Sequence, residues 1–198
     1  LRVLSNSWGG GGYSAALPYA IRAANTANIL FVAAAGNDNK NTDSNANYPS
    51  NYDSPNVISV AAIDSNGNRA SFSNYGANTV DLAAPGVGIL STKRFNAYQS
   101  LNGTSMATPH VSGVAALVLT RFPQFSASDV KDILMNSVKP LGALNGLMVK
   151  PGTVSLANAL VDPSNFPPAL ASISDVNVSK NAGFGDATIS AIDADGDL

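Results

Sequence analysis

Two apolar runs constrain this chain more than anything else in its 198 residues. Ile29 to Ala35 and Val57 to Ile63 are short and almost free of polar side chains. A strand with one wet face alternates polar and apolar residues, so a run without alternation predicts a strand covered on both faces. Such strands belong to parallel sheets flanked by helices. Helical patterns stand around the two runs. Ala15, Leu17, Ala20, Ile21 and Ala24 recur at helical spacing, with Ser14 as the expected cap and Pro18 in the first turn, where proline is tolerated. Met106 to Thr120 reads as a helix apolar on all sides, which predicts a core position. Ser126 to Asn136 reads as an amphipathic helix, with Ser126 as N-cap, Asp129 at the capping-box position, and Val130, Ile133 and Leu134 facing inward. Leu1 to Ser5 predicts another strand. Ile89 to Thr92 and Tyr98 to Leu101 predict the arms of a hairpin, and Val154 to Leu160 a last short helix. This order implies an α/β fold with a doubly wound, mostly parallel sheet.

Composition narrows the partners. Charged residues make up 12% of the chain and the net charge is -2, which argues against nucleic acid or an anionic membrane as partner. Cysteine is absent, so neither a disulfide framework nor a thiolate metal site is available. Leu101 to Thr120 carries no charge, but Asn102, Ser105, Thr108, Pro109, His110, Ser112 and Gly113 are too polar and helix-breaking for a membrane span. The opening Leu1-Arg2-Val3-Leu4 has no signal-like character. Residues 162–172, beginning Asp162-Pro163-Ser164, predict a Pro-rich linker after a first domain at 1–161. Residues 173–198 read as the start of a β-rich, cadherin-like accessory domain that stops before it could close. Its Asp193-Ala194-Asp195-Gly196-Asp197 string either begins a calcium-binding loop or is a solvated acidic end.

The chemistry concentrates in Asn102-Gly103-Thr104-Ser105-Met106-Ala107-Thr108-Pro109-His110-Val111-Ser112-Gly113. A serine flanked by small residues enters a long apolar run, as a nucleophile at the start of a buried helix would. Free N–H groups and the helix dipole there favour developing negative charge. Position 107 is Ala, so the Gly-x-Ser-x-Gly elbow does not fit. The string resembles the nucleophile motif of subtilisin-like serine proteases, the subtilase or peptidase S8 family. Ala35-Gly36-Asn37-Asp38 resembles the family's oxyanion-hole motif, and Ser5-Asn6-Ser7-Trp8-Gly9-Gly10 the segment along which a peptide substrate lies as an added strand.

The resemblance implies a secreted serine endopeptidase acting on polypeptides, with Ser105 as nucleophile and Asn37 as oxyanion donor. It implies a primary pocket walled by Ser7, Trp8 and Gly9 on one side and Ala33, Ala34 and Gly36 on the other, with Asn47 at its floor. No acid stands at those wall positions, so strong selection for Lys or Arg is not expected. No cofactor is expected for catalysis. A structural calcium is implied, held by Asp64 with the backbone carbonyls of Ser50, Tyr52 and Val57, although Asp53-Ser54 looks like an insertion in that loop and Asp64 also suits a hairpin turn; the polar Asp38 to Asn47 loop is a second place for a cation. His110 is the sole histidine, but it stands five residues from Ser105 across Pro109, and a helix sends the two to different faces. The family carries it as a structural residue. The general base and its Asp are therefore expected in an upstream segment of the same parent protein. The chain is expected to be the C-terminal part of a catalytic domain, inactive alone, its sheet incomplete at the N-terminal side with apolar edges at Leu1 to Ser5 and Ile29 to Ala35. Two other functions share these residues: a non-catalytic adhesion or calcium-binding module, and a peptide ligase or macrocyclase.

Overall fold

A computed structural model describes residues 1–161. The predicted linker and accessory segment, 162–198, lie outside the described residues. A six-stranded sheet runs in the order β1 (Val3–Asn6), β2 (Leu30–Ala34), β3 (Val57–Ile63), β4 (Leu82–Pro85), β8 (Gly152–Thr153), β7 (Lys139–Pro140). β1 through β4 and β8 are parallel, and the two-residue β7 pairs antiparallel to β8. Among the described residues four α-helices accompany it: α1 (Leu17–Thr26), α2 (Thr104–Arg121), α3 (Ala127–Asn136) and α4 (Leu156–Ala159). The architecture is the α/β arrangement with a mostly parallel sheet that the apolar runs predict.

Both runs are covered, for every residue of β2 and β3 is buried. Phe31 and Ala33 of β2 cluster with Ile21 of α1, Tyr52 and Val57. Alternation sends Leu30, Val32 and Ala34 to the other face, and α2 lies across β1 to β4. Since β2 is central, the expected apolar edge at Ile29 to Ala35 does not form. Among the described residues β1 alone of the parallel strands is an edge, because β2 bonds β1 on one side and β3 on the other.

The local signals have mixed outcomes. Ser126 accepts the Asp129 N–H at 3.1 Å and Asp129 Oδ2 accepts the Ser126 N–H at 2.7 Å, so the capping box forms. Ser14 caps nothing. α1 starts three residues later behind Ala16, and the Ser14 backbone instead exchanges hydrogen bonds with the Tyr52 hydroxyl. α2 buries only one face, through Ala107, Val111, Ala115 and Val118. Pro109, His110, Gly113, Ala116 and Leu117 are exposed, so its all-round apolarity does not place it wholly inside this chain. The hairpin is formed by β5 (Ile89–Lys93) and β6 (Ala97–Leu101).

Candidate active site

The start of α2 sits against the carboxyl end of β2, where ligands of open α/β sheets bind. Gly86 and Gly103 bring it there: the Gly103 N–H bonds the Gly86 carbonyl at 2.8 Å, and a Cβ on Gly86 would fall 2.5 Å from the Ala62 Cβ. Gly103, the N-cap, has φ +154°, a conformation glycine tolerates. Thr104 then closes the first turn onto β2. Its N–H and hydroxyl both donate to Asn37 Oδ1, at 2.9 and 3.0 Å, and its hydroxyl oxygen accepts the Gly36 N–H at 3.2 Å.

This bonding decides which way Asn37 faces. With Oδ1 held by Thr104, the Asn37 amide N–H₂ is left without a hydrogen-bond partner among the described residues. The position a Cβ on Gly103 would occupy is 3.7 Å from Asn37 Nδ2 and 3.6 Å from the Ser105 nitrogen. The same point is 3.6 Å from Met106 Sδ. The two N–H donors stand near one another at the start of α2, and an oxyanion hole draws on such a pair of donors.

Ser105 is half-buried, and its hydroxyl donates to the Ser7 carbonyl at 3.1 Å. The Ser7 hydroxyl donates in turn to the Ser105 carbonyl at 2.8 Å. Pro109 makes that second bond available. Four residues on, it has no N–H to give the Ser105 carbonyl, so the oxygen is free for Ser7. His110 Nδ1 lies 2.8 Å from the Met106 carbonyl, and the ring is exposed on α2. The sole histidine is therefore engaged with its own helix, and Ser105 has no base bonded to it among the described residues.

A cleft of about 360 Å³ joins these groups. Ser7, Trp8, Gly9, Ala34, Gly36, Asn37, Asn47 and Ser105 all line it. Trp8 is 52% exposed, a rim residue and not core. Buried Asn47 lies between the two glycine walls: a Cβ on Gly9 would come 3.2 Å from its Nδ2, and one on Gly36 3.1 Å from its Oδ1. Ala33 is the exception. It faces α1 in the core cluster, and its neighbour Ala34 takes the wall, because successive residues of a strand point to opposite faces. The rim is also not free of acid. Asp38 lines it, with its carboxylate 3.8 Å from Lys40 Nζ.

Asn74, in the Arg69 to Gly76 stretch that resembles a scaffold segment of the family, holds the Asn37 turn. Its Oδ1 accepts from the N–H of Asp38 and of Lys40, both at 3.0 Å, while its Nδ2 donates to the Ala35 carbonyl at 2.8 Å. Gly36, at φ +102°, leaves no room for a side chain there: a Cβ would strike Asn74 Nδ2. The only signal was a buried-type Asn in Ser73-Asn74-Tyr75, remote in sequence from the turn it fixes.

The proposed calcium ligands do not come together. Val57 opens β3 and Asp64 follows its end, and at about 3.3 Å per residue the two stand on the order of 20 Å apart. The Asp64 carboxylate instead accepts the N–H groups of Asn66 and Asn68, both at 2.9 Å, in the hairpin turn. Ser50, Tyr52 and Val57 do share a second polar cleft, but the carboxylates lining it are the exposed Asp53 and the mostly buried Asp81, not Asp64, and a lysine, Lys131, stands among them. Lys131 Nζ donates to the Val57 carbonyl, one of the oxygens a calcium would need, so the residues present do not fit the ion. Burial pushes the Asp81 carboxyl above the ordinary carboxylate range, against the pull of the Lys131 charge and the Ser59 N–H.

The subtilase family profile matches residues 1–185. The chain belongs to the subtilase family. It is 49% identical over 143 residues to subtilisin DY of Bacillus licheniformis, a match covering 72% of this chain and 51% of that protein. Subtilisin BL of Lederbergia lenta is 44% identical over 145 residues, covering 73% of this chain and 52% of the relative. Among solved structures, a protease of Pseudoalteromonas arctica PAMC 21717 superposes with a TM-score of 0.71 at 35% identity, over 80% of this chain and 50% of its own. This subtilase chain thus spans about half the length of the curated relatives it matches. Among its described residues no helix is long and apolar enough to cross a membrane.

Proposed function

We propose that the protein carrying this chain is an extracellular serine endopeptidase, with Ser105 as its nucleophile. One observation carries the reading: the Ser105 nitrogen and the Asn37 amide nitrogen both lie beside the Gly103 N-cap of α2, and Ser105 and Asn37 line one cleft of about 360 Å³. A histidine and an aspartate from an upstream segment of the same protein complete the site. The histidine takes the Ser105 proton as Oγ attacks the peptide carbonyl, and passes it to the leaving amine as the C–N bond breaks. Water then attacks the acyl-enzyme by the same route in reverse order of groups. Asn37 and the Ser105 N–H hold the negative oxygen in both halves.

The polypeptide substrate pairs its backbone with Ser7 to Gly9, displacing the resting bonds between Ser7 and Ser105. Main-chain pairing of this kind gives affinity without demanding a sequence. The slot between Gly9, Ala34 and Gly36 takes an uncharged side chain, with Asn47 at its end. The Asp38 carboxylate at the rim is already matched by Lys40, which leaves it a weak attractor for a substrate cation.

The test is fluorophosphonate labelling and peptide hydrolysis by the purified protein, with Ser105→Ala as control. A single adduct on Ser105, and turnover lost in Ser105→Ala, is the expected result. Peptide binding with neither adduct nor turnover would overturn the reading in favour of an adhesion module. Transfer of the acyl group to an added amine in preference to water would make it a ligase.

A further inference from the structure

The second polar cleft, about 230 Å³, lies at the opposite end of the sheet, between the 50–54 loop, the start of β3 and α3. Its oxygen atoms face a cation that the chain itself supplies. Lys131 Nζ, reaching in from α3, donates to the Val57 carbonyl at 2.6 Å and lies 3.6 Å from Asp81 Oδ1. The other Asp81 oxygen accepts the Ser59 N–H at 2.7 Å. Both charged side chains are mostly covered, Lys131 at 22% and Asp81 at 16% exposure. We propose that this cleft is a cation site whose resident cation is the Lys131 ammonium, and that it admits a hard metal ion only when that ammonium is removed.

The reasoning is steric and electrostatic. A calcium ion takes about six to eight oxygen ligands at roughly 2.3–2.6 Å. Here it would need the Val57 carbonyl and the Asp81 carboxylate, and Lys131 holds both. An ion bound to those same oxygens would sit within about 3–4 Å of the ammonium, where like charges in a partly buried site repel strongly. The ammonium also has an advantage that no free ion has. It is covalently attached, so its contribution does not fall as an ion is diluted, whereas a bound metal stabilises by mass action. Without the ammonium, Asp81 would be a mostly buried charge beside the Val57 carbonyl, with Asp53 also lining the cleft, and such oxygen groups bind hard cations.

The experiment uses the purified protein with Ser105→Ala throughout, to keep the chain intact. Thermal melts compare the parent, Lys131→Met, and Lys131→Met with Asp81→Asn, each in EDTA and in millimolar calcium chloride. Lys131→Met should melt roughly 5 °C or more below the parent in EDTA and recover most of the loss in calcium. The double variant should not recover. A Lys131→Met variant that melts with the parent, or that calcium does not rescue, would overturn the proposal. A second measurement stands should that variant not fold. Acetic anhydride labelling of the parent, read by mass spectrometry, should spare Lys131 relative to the exposed Lys93 and Lys139, with or without calcium. Labelling of Lys131 that rises with calcium would show the metal displacing the ammonium, and labelling equal to that of Lys93 would show no bound ammonium; either sinks the idea.

Discussion

At the carboxyl end of the sheet, Asn37 gives its carbonyl oxygen to Thr104 and keeps its amide free. At the amino end, Asp81 and the Val57 carbonyl turn their lone pairs on Lys131 and the Ser59 N–H. Both regions are polar clefts at the rim of one sheet, but they are organised differently. The first uses neutral amides and hydroxyls to orient one another and leaves N–H donors facing open space. The second pairs full charges inside the chain. A site that must stabilise a transient negative charge needs preorganised donors without a partner at rest. A structural cleft has no such need, and unpaired polar groups there would only destabilise it.

The strongest way to break this contrast is to remove a free donor. Asn37→Ala leaves the Thr104 N–H without its acceptor and deletes one of the two flanking donors. In the active protein it should lower kcat by roughly 100- to 1,000-fold with little change in KM, a magnitude measured on a subtilisin and carried over to this family member. Gly103→Ala should lose activity by a different route, because φ +154° at the N-cap strains any residue that carries a side chain. A kcat within a few-fold of the parent in Asn37→Ala would mean that the oxyanion is held elsewhere.

One step smaller is the support beneath the donor. Asn74→Ala removes two acceptor bonds and one donor bond from the Asn37 turn, and leaves the N–H groups of Asp38 and Lys40 to find water. The cost should be about 2–3 kcal/mol of stability, read from denaturant midpoints. A drop in kcat should accompany it, since the turn that aims Asn37 is loosened. Stability lost with kcat unchanged would show that Thr104 alone is enough to orient Asn37.

How far each region was legible follows from the range of the signals. β2, β3, the hairpin and the α3 capping box announce themselves within a few residues, through apolar runs, alternation and a Ser three before an Asp. The Ser105 string and Ala35-Gly36-Asn37 are also local, and the structure brings them together across 68 positions of chain. What was not legible depended on register or distant approach. Ala33 and Ala34 are the same residue type, and only the packing of α1 against Phe31 decides which faces the cleft. Asp64 and Asp81 each adjoin an apolar strand, one after β3 and one before β4, and no local pattern says which carboxylate meets the Ser50 to Val57 loop. Lys131 looks like an ordinary solvated position on an amphipathic helix; its partners are 50 and 74 residues away. Ser14 failed as a cap because α1 begins with Leu17-Pro18, and proline already sets the first turn without needing a capped N–H.

The smallest effect sharpens the amino end of the comparison, where two carboxylates should respond to pH with opposite signs. Burial raises the Asp81 pKa above its unfolded value, so the folded state holds that proton more tightly. Asp81 therefore contributes most at pH below the ordinary carboxylate range, and its contribution is lost as pH rises through the raised value. Asp43 is exposed. Its slight burial pushes upward, but the Thr79 hydroxyl at 2.6 Å and the Asn78 N–H and side-chain amide outweigh that and hold its pKa below the usual value. Its contribution is present above the ordinary carboxylate range and is lost as pH falls through the lowered value. Denaturant midpoints across the acid range should separate the two. Relative to the parent, Asp81→Asn should gain stability as pH rises past the carboxylate range, and Asp43→Asn should lose it. Parallel curves for the two variants would mean that Lys131 holds Asp81 ionised through the whole range, making the amino end a fixed ion pair with no titration of its own.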